Sequence, residues 1–172
     1  MDTFFEQIIP VKKTAKYMLA SVGIWLLAII LSVVAVGLLG LTTFATITLF
    51  IIVGVFYAAY KISGRFNIEY EYIITNGILD IDKIMSKSSR KRLLTFDLAT
   101  VTRIEKYNPQ KQETANYETK LVACNTNDSN AYTLVASKQG GGSIYLVLSP
   151  DERMKKAMLK FIPKHISNSA FK

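Results

Sequence analysis

Charge is missing from a quarter of this sequence. From Tyr17 to Tyr60 there is no Asp, Glu, Lys, Arg or His. Cysteine, histidine and tryptophan each occur once, as Cys124, His165 and Trp25, and proline occurs four times in 172 residues. A single cysteine excludes a disulfide scaffold, and one cysteine with one histidine does not make a zinc-type ligand set. A charge-free run of 44 residues excludes a single soluble globule and a disordered charged tail. Acidic residues are also scarce, with 13 Asp+Glu against 21 Lys+Arg. What remains is a membrane-anchored protein with one small extramembrane domain.

The hydrocarbon core of a bilayer is about 30 Å thick and takes roughly 20 apolar helical residues. The charge-free block is about twice that, so a single straight span would overshoot by about 30 Å. Two helices with a turn near Gly37–Thr43 fit, helix 1 over about Thr14–Val36 and helix 2 over about Leu41–Ile62, giving a two-helix transmembrane hairpin at 14–62. Lys12, Lys13 and Lys16 precede it, Lys61 and Arg65 follow it, and the turn is uncharged. The positive-inside rule then puts both termini in the cytoplasm of a plasma-membrane, multi-pass protein. A cleaved signal peptide ending near Ala35-Val36-Gly37 is the competing reading, disfavoured by a long apolar run and a second one after it. Ala28-x-x-x-Ser32 and Gly54-x-x-x-Ala58 allow close helix approach, within the hairpin or in a homo-oligomer. No ionisable group lies in the spans, which argues against a transporter or channel. Before them, Thr3 and Glu6 have capping-box spacing and Phe4, Phe5, Ile8 and Ile9 cluster ahead of Pro10. This predicts a short interfacial helix in an N-terminal segment, 1–13.

From Phe66 the pattern alternates. Ile68, Tyr70 and Tyr72 interleave with Asn67, Glu69 and Glu71, which is strand periodicity. Asn76-Gly77 between two β-type runs predicts a type I′ hairpin turn. Further strands are expected at Ile78–Ile84, Arg90–Phe96, Thr100–Tyr107, Tyr117–Cys124, Ala131–Ser137 and Ser143–Leu148. Asn108–Asn116 reads as a loop, and Asn125–Asn130 and Gln139–Gly142 as turns. Ser149, Pro150 and Glu152 predict the N-cap, N1 and N3 of a C-terminal helix whose stripe is Met154, Ala157, Met158, Phe161 and Ile162, ended by Pro163. The fold class is a membrane α-hairpin plus a mainly β, α+β domain: seven short strands bent into a partly open barrel or two orthogonal sheets, capped by the helix. Residues 163–172 read as a polar tail.

This order resembles the pleckstrin-homology-like superfold, and in particular bacterial PH-like membrane proteins with transmembrane helices ahead of the domain. Tyr70-Glu71-Tyr72-Ile73-Ile74-Thr75-Asn76-Gly77-Ile78-Leu79 and the basic Arg90-Lys91-Arg92-Leu93-Leu94 carry the resemblance, which covers about 66–162. Phosphoinositide recognition does not carry over. Those PH domains cradle the ligand in a long basic loop between strands 1 and 2, where this chain has only Asn76-Gly77. They also usually carry a tryptophan in the last helix, and here the only tryptophan is Trp25.

Candidate chemistry is thin. His165 sits in the tail with no nucleophile or carboxylate held beside it, and Cys124 ends a strand as a small hydrophobe. Asp80 and Asp82 read as a solvated strand face next to Lys83. Gly140-Gly141-Gly142 lacks the lysine and helix of a phosphate loop. No catalytic, cofactor or metal site is expected, so the chain reads as a non-enzyme. The constellation that remains is basic: Lys87, Arg90, Lys91 and Arg92, with Lys155, Lys156 and Lys160 along the last helix. Beside an anionic leaflet each such cation gains on the order of 1 kcal/mol. Nucleic acid is disfavoured because no aromatic platform is interleaved with the run. The expected function is a membrane-anchored interaction or scaffold module whose basic run faces anionic lipid headgroups or an acidic protein segment. The alternative is an accessory subunit of a larger transport or export complex.

Overall fold

The computed structural model describes residues 3–13, 15–40, 44–110, 116–138 and 141–171. The first residues expected in the two long helices, Thr14 and Leu41, lie outside these, as do 41–43 of the expected hairpin turn, 111–115 of the long loop and 139–140 of the glycine turn. The chain divides into two compact units.

One unit comprises Lys12–Ile68 and Met85–Ser89. It contains α1, Ala15–Leu39, and α2, Ala45–Gly64, each long and apolar enough to cross a membrane. At 1.5 Å per residue they run about 37 and 30 Å. Helix α1 continues through Gly37 and stops at Gly40, whose φ of +71° is the left-handed conformation that ends helices. Thr48 Oγ1 then donates to the freed Gly40 carbonyl at 3.1 Å. The two helices pack along Ala28 and Ser32 of α1 and Thr48 and Ala59 of α2, so the Ala28–Ser32 pair serves the hairpin itself. Gly54 and Ala58 are exposed and take no part in that seam. Most other apolar side chains face outward, with Leu19 and Phe50 both 72% exposed, unlike the core helices of a soluble protein.

The second unit comprises Met1–Val11, Glu69–Ile84 and Arg90–Lys172. Its first element overturns an expectation. Phe4–Pro10 is not an interfacial helix but a strand, β1, paired antiparallel with β2, Ile68–Thr75, from Phe4↔Thr75 to Pro10↔Glu69. Phe5 and Ile9 alternate with Phe4, Glu6 and Ile8, and that period of two buries Ile9 and leaves Phe4 and Ile8 in the open. Strands β3, Ile78–Met85, and β4, Ser89–Asp97, complete a sheet of order β1-β2-β3-β4. The β2–β3 connection is the expected turn, with φ of 49° at Asn76 and 90° at Gly77. Thr3 brackets it, donating to Asn76 Oδ1 and accepting from Asn76 N.

A single 3₁₀ turn, Leu98–Thr100, capped by Asp97, leads to the second sheet. Strands β5 (Val101–Lys106), β6 (Thr119–Val122), β7 (Tyr132–Ser137) and β8 (Ser143–Leu148) lie in the order β5-β7-β8-β6, with β6 parallel to β8. The described residues thus form eight strands rather than seven, in two four-stranded sheets that do not close into a barrel. Tyr72 on β2, Leu79 and Ile81 on β3, Leu134 on β7 and Leu146 on β8 share one core and are fully buried. The Tyr72 hydroxyl donates to the Ala123 carbonyl at 2.6 Å and accepts from Ser149 N at 3.2 Å.

Helix α3, Glu152–Leu159, adds Met154, Ala157 and Met158 to that core. Its N-cap is Asp151, which accepts from Met154 N at 2.7 Å, and not Ser149. Ser149 is already committed, its amide to Tyr72 and its hydroxyl to Asp128. Phe161 is half-buried rather than part of the buried stripe, and packs against the Gly77 turn. The last residues are not a free polar tail. A short helix α4, Lys164–Ser167, brings Ile166, Ala170 and Phe171 onto the core, with Phe171 edge-on to Tyr132 and Lys155 Nζ 4.8 Å from the Tyr132 ring centre.

Gln7 fastens β1 to the start of α3. Its Nε2 donates to the Ser149 carbonyl at 3.1 Å and its Oε1 accepts from Asp151 N at 2.9 Å. Two stability measurements follow for the full chain in detergent. Ile9→Ala is expected to cost about 2–4 kcal/mol, as for a core strand, while Ile8→Ala, at an exposed site, costs about 0.5 kcal/mol or less. Equal, small effects would dissolve β1 from the fold. Gly77→Val is expected to cost about 1–3 kcal/mol in backbone strain alone. Its Cβ would also sit 3.0 Å from Phe161 Cδ1. A melting temperature unchanged by that variant would refute the turn.

Candidate functional site

The cations singled out in the sequence are divided between the two units. Lys87 lies in the β3–β4 turn, Met85–Ser89, where Ser86 and Lys87 both have positive φ, 53° and 56°. That turn is seated on the end of α2: Ser86 N donates to the Asn67 carbonyl at 3.0 Å, and a Cβ on Gly64 would come within 2.9 Å of Ser86 Oγ. Lys87 therefore belongs to the helical unit, at the end that also carries Lys61 and Arg65. Tyr17 stacks on Phe66 there, with ring centres 5.6 Å apart. Across Lys12–Ile68 and Met85–Ser89 the unit has six Lys/Arg and no Asp or Glu, so it holds six of the eight net positive charges.

Arg90, Lys91 and Arg92 lie on β4 in the other unit, and two of them have internal partners. Arg90 Nη2 donates to Glu71 Oε1 at 2.9 Å. Arg92 forks, with Nη1 3.1 Å from Asp80 Oδ2 and Nε 3.0 Å from Asp82 Oδ1. Thr95 Oγ1 donates to Asp80 Oδ1 at 2.6 Å. The Glu71 side chain is wholly buried and that of Asp82 nearly so, whereas both arginines are half in solvent. Each guanidinium thus roofs a buried acid. Removing one would strand a charge in a low-dielectric site, so these arginines have a structural task first. Asp80 and Asp82 are accordingly not a solvated face. Lys87 and Lys91 remain exposed.

Glu71 was the residue hardest to foresee, because a glutamate alternating with tyrosines reads as the wet side of a strand. Charge spacing signals only the neighbouring contact, in which Asp80 and Asp82, two apart on β3, face Arg92 on β4 across the hairpin. Nothing comparable pointed to Glu6. The register puts Ile8 opposite Glu71 and Glu6 opposite Ile73, which brings the two glutamates to one face of neighbouring strands. Glu71 Oε2 receives no donor from the described residues. Burial, and then the Glu6 carboxyl beside it, push Glu71 above the ordinary carboxylate range against the pull of Arg90.

Elsewhere the polar groups are quiet. Cys124 is buried, and burial, then Asp128, push its thiol up to about 11, so it stays protonated at neutral pH. His165 is exposed on α4. The described residues contain no group of three or more His, Cys, Asp or Glu able to hold a metal ion.

Residues 1–168 match the family described as the bacterial PH-like domain (DUF6106). The chain belongs to that family. The match begins at the N-terminus and so takes in β1 and the two apolar helices as well as the strands that follow. No curated protein and no solved structure matches the chain.

The carboxyl pair of this PH-like domain has a testable signature. A carboxyl whose pKa is raised by folding adds stability that is fully present below its unfolded value, near 4.5, and is lost as pH rises through the folded value. The full chain should therefore lose melting temperature as pH climbs above about 4.5. Glu6→Gln removes the opposing charge and supplies an N–H for Glu71 Oε2. It should flatten that decline and add about 1 kcal/mol at pH 8. A variant that melts lower than wild type by the same margin at pH 5 and pH 8 would rule the pair out.

Proposed function

We propose that the chain is a non-enzymatic, membrane-anchored PH-like interaction module. In this reading both termini lie in the cytoplasm, α1 and α2 span the plasma membrane, and the headgroup-side cations hold the domain against anionic lipid. One observation carries it. Strands β1 and β2 are neighbours, and their ladder ends with Pro10 opposite Glu69. The chain between them must leave and return at the same end of one sheet. Two spans satisfy that condition and one does not. A cleaved signal peptide would also remove the strand that completes the sheet. The charges nearest the helices, Lys12, Lys13, Lys16, Lys61 and Arg65, are all positive, which supports the cytoplasmic side for the sheets.

Arg90 and Arg92 are largely spent on Glu71, Asp80 and Asp82, so Lys87 and Lys91 are the members of the run left to meet a headgroup or an acidic segment. Lys87 sits on the end of α2, within reach of the leaflet potential, which extends about one Debye length, roughly 8 Å at physiological ionic strength. The domain is not a portable fragment, because a piece starting at Phe66 would lack β1.

The test uses the full chain in nanodiscs. Amide exchange in the Met85–Ser89 turn is expected to slow at least severalfold in discs with 30 mol%, or about a third, anionic lipid relative to zwitterionic discs, since each cation near the surface gains on the order of 1 kcal/mol. Raising the salt to about 0.5 M should erase the difference. Lys87→Ser with Lys91→Ser should erase it at low salt as well. Identical exchange in the two lipids at low salt would remove anionic lipid as the occupant of this surface.

A further inference from the structure

Helix α1 carries a groove on its outward side. Lys13, Met18, Ser21, Val22, Trp25 and Ile29 line a space of about 360 Å³, within the range of small-ligand sites. Met18, Val22, Trp25 and Ile29 follow helical spacing down one face. From Met18 to Ile29 the helix rises about 16 Å, close to the roughly 15 Å depth of one leaflet's hydrocarbon.

Two contacts fix the groove's shape. The Trp25 indole is held from the side by Phe56, with ring centres 6.0 Å apart. The Ser21 hydroxyl is hydrogen-bonded to the Ser63 hydroxyl, so the one polar side chain along the apolar stretch is already satisfied. The charge at the cytoplasmic end is Lys13, exposed, in a unit that contains no carboxylate to neutralise it. A second groove, about 270 Å³ between Val33, Val36, Ile52 and Phe56, has no cation among its lining residues.

We infer that the α1 groove seats one anionic phospholipid of the cytoplasmic leaflet, with an acyl chain along Val22, Trp25 and Ile29 and the headgroup phosphate on Lys13. Charge complementarity selects the occupant: an apolar slot one leaflet deep, with Lys13 the cation in its lining, fits a negatively charged lipid better than a zwitterionic one. The inference rests on the transmembrane reading of α1 and adds a specific lipid seat to it.

Trp25 is the only tryptophan in the chain and lines the groove, so its fluorescence reports the occupant directly. The full chain is reconstituted in vesicles of phosphatidylcholine with a fifth phosphatidylglycerol, and acyl-chain bromine is placed either on the phosphatidylglycerol or on an equal amount of the phosphatidylcholine. Random contact makes the two quench equally. A seat with one cation is expected to favour brominated phosphatidylglycerol by roughly fivefold in relative occupancy. Lys13→Gln should bring the ratio to one, and Lys16→Gln, off the groove, should leave it. Equal quenching by the two lipids in the wild type overturns the seat while leaving the anchor intact. A bias that survives Lys13→Gln overturns the assigned headgroup contact and with it the seat. No quenching by either lipid places Trp25 outside the hydrocarbon, and the anchor reading itself fails.

Discussion

The ladder between β1 and β2 is the constraint from which the rest of the architecture follows. Seven residues at the N-terminus pair with a strand that starts more than fifty residues later, and everything between is looped out of the sheet. Closing so long a loop costs chain entropy, but that cost grows only slowly with length. The pairing is reinforced by Ile9 in the core, by the two hydrogen bonds of Gln7 to the start of α3, and by Thr3 on the Asn76 turn. The apolar helices are therefore an insertion within the PH-like domain and not a leader ahead of it.

The placement of charge follows a second rule: acids are buried under arginines on the sheet, while the helical unit has cations alone. Glu71, Asp80 and Asp82 draw Arg90 and Arg92 inward, which lowers the charge that β4 presents to its surroundings. Net positive charge is concentrated instead in Lys12–Ile68 and the Met85–Ser89 turn, which contain no Asp or Glu.

Buried polar groups elsewhere are satisfied with economy. Tyr72 donates to Ala123 and accepts from Ser149, joining β2 to the segment after β6 and to the end of β8. Ser149 then has no capacity to cap α3, and Asp151 takes that part. Among the described residues Glu71 is the exception, with one oxygen lacking a donor beside a second glutamate. Such a group costs free energy unless it holds a proton, which makes the β1–β2 face the pH-sensitive part of the domain.

Local signals in the sequence determined the parts whose physics is local. A charge-free run of two bilayer lengths specified two long helices, alternation specified seven of the strands, and Asn76-Gly77 specified a turn that needs two positive φ values. The family resemblance was legible in the same strand, turn and basic run. Tertiary structure alone decided the rest. Phe4–Pro10 has apolar residues that suit a helix face or a strand face equally, and its partner lies far along the chain, so only the assembled sheet could choose. Glu71 has the alternation of a wet residue and is buried because β1 lies beside it. Ser149, Pro150 and Glu152 spell a helix start, but Tyr72 and Asp128 claim Ser149 first. The end of the chain looks polar, and only a prebuilt core gives Ile166 and Phe171 somewhere to go. In each case the deciding contact joins residues too distant in sequence for any local pattern to encode.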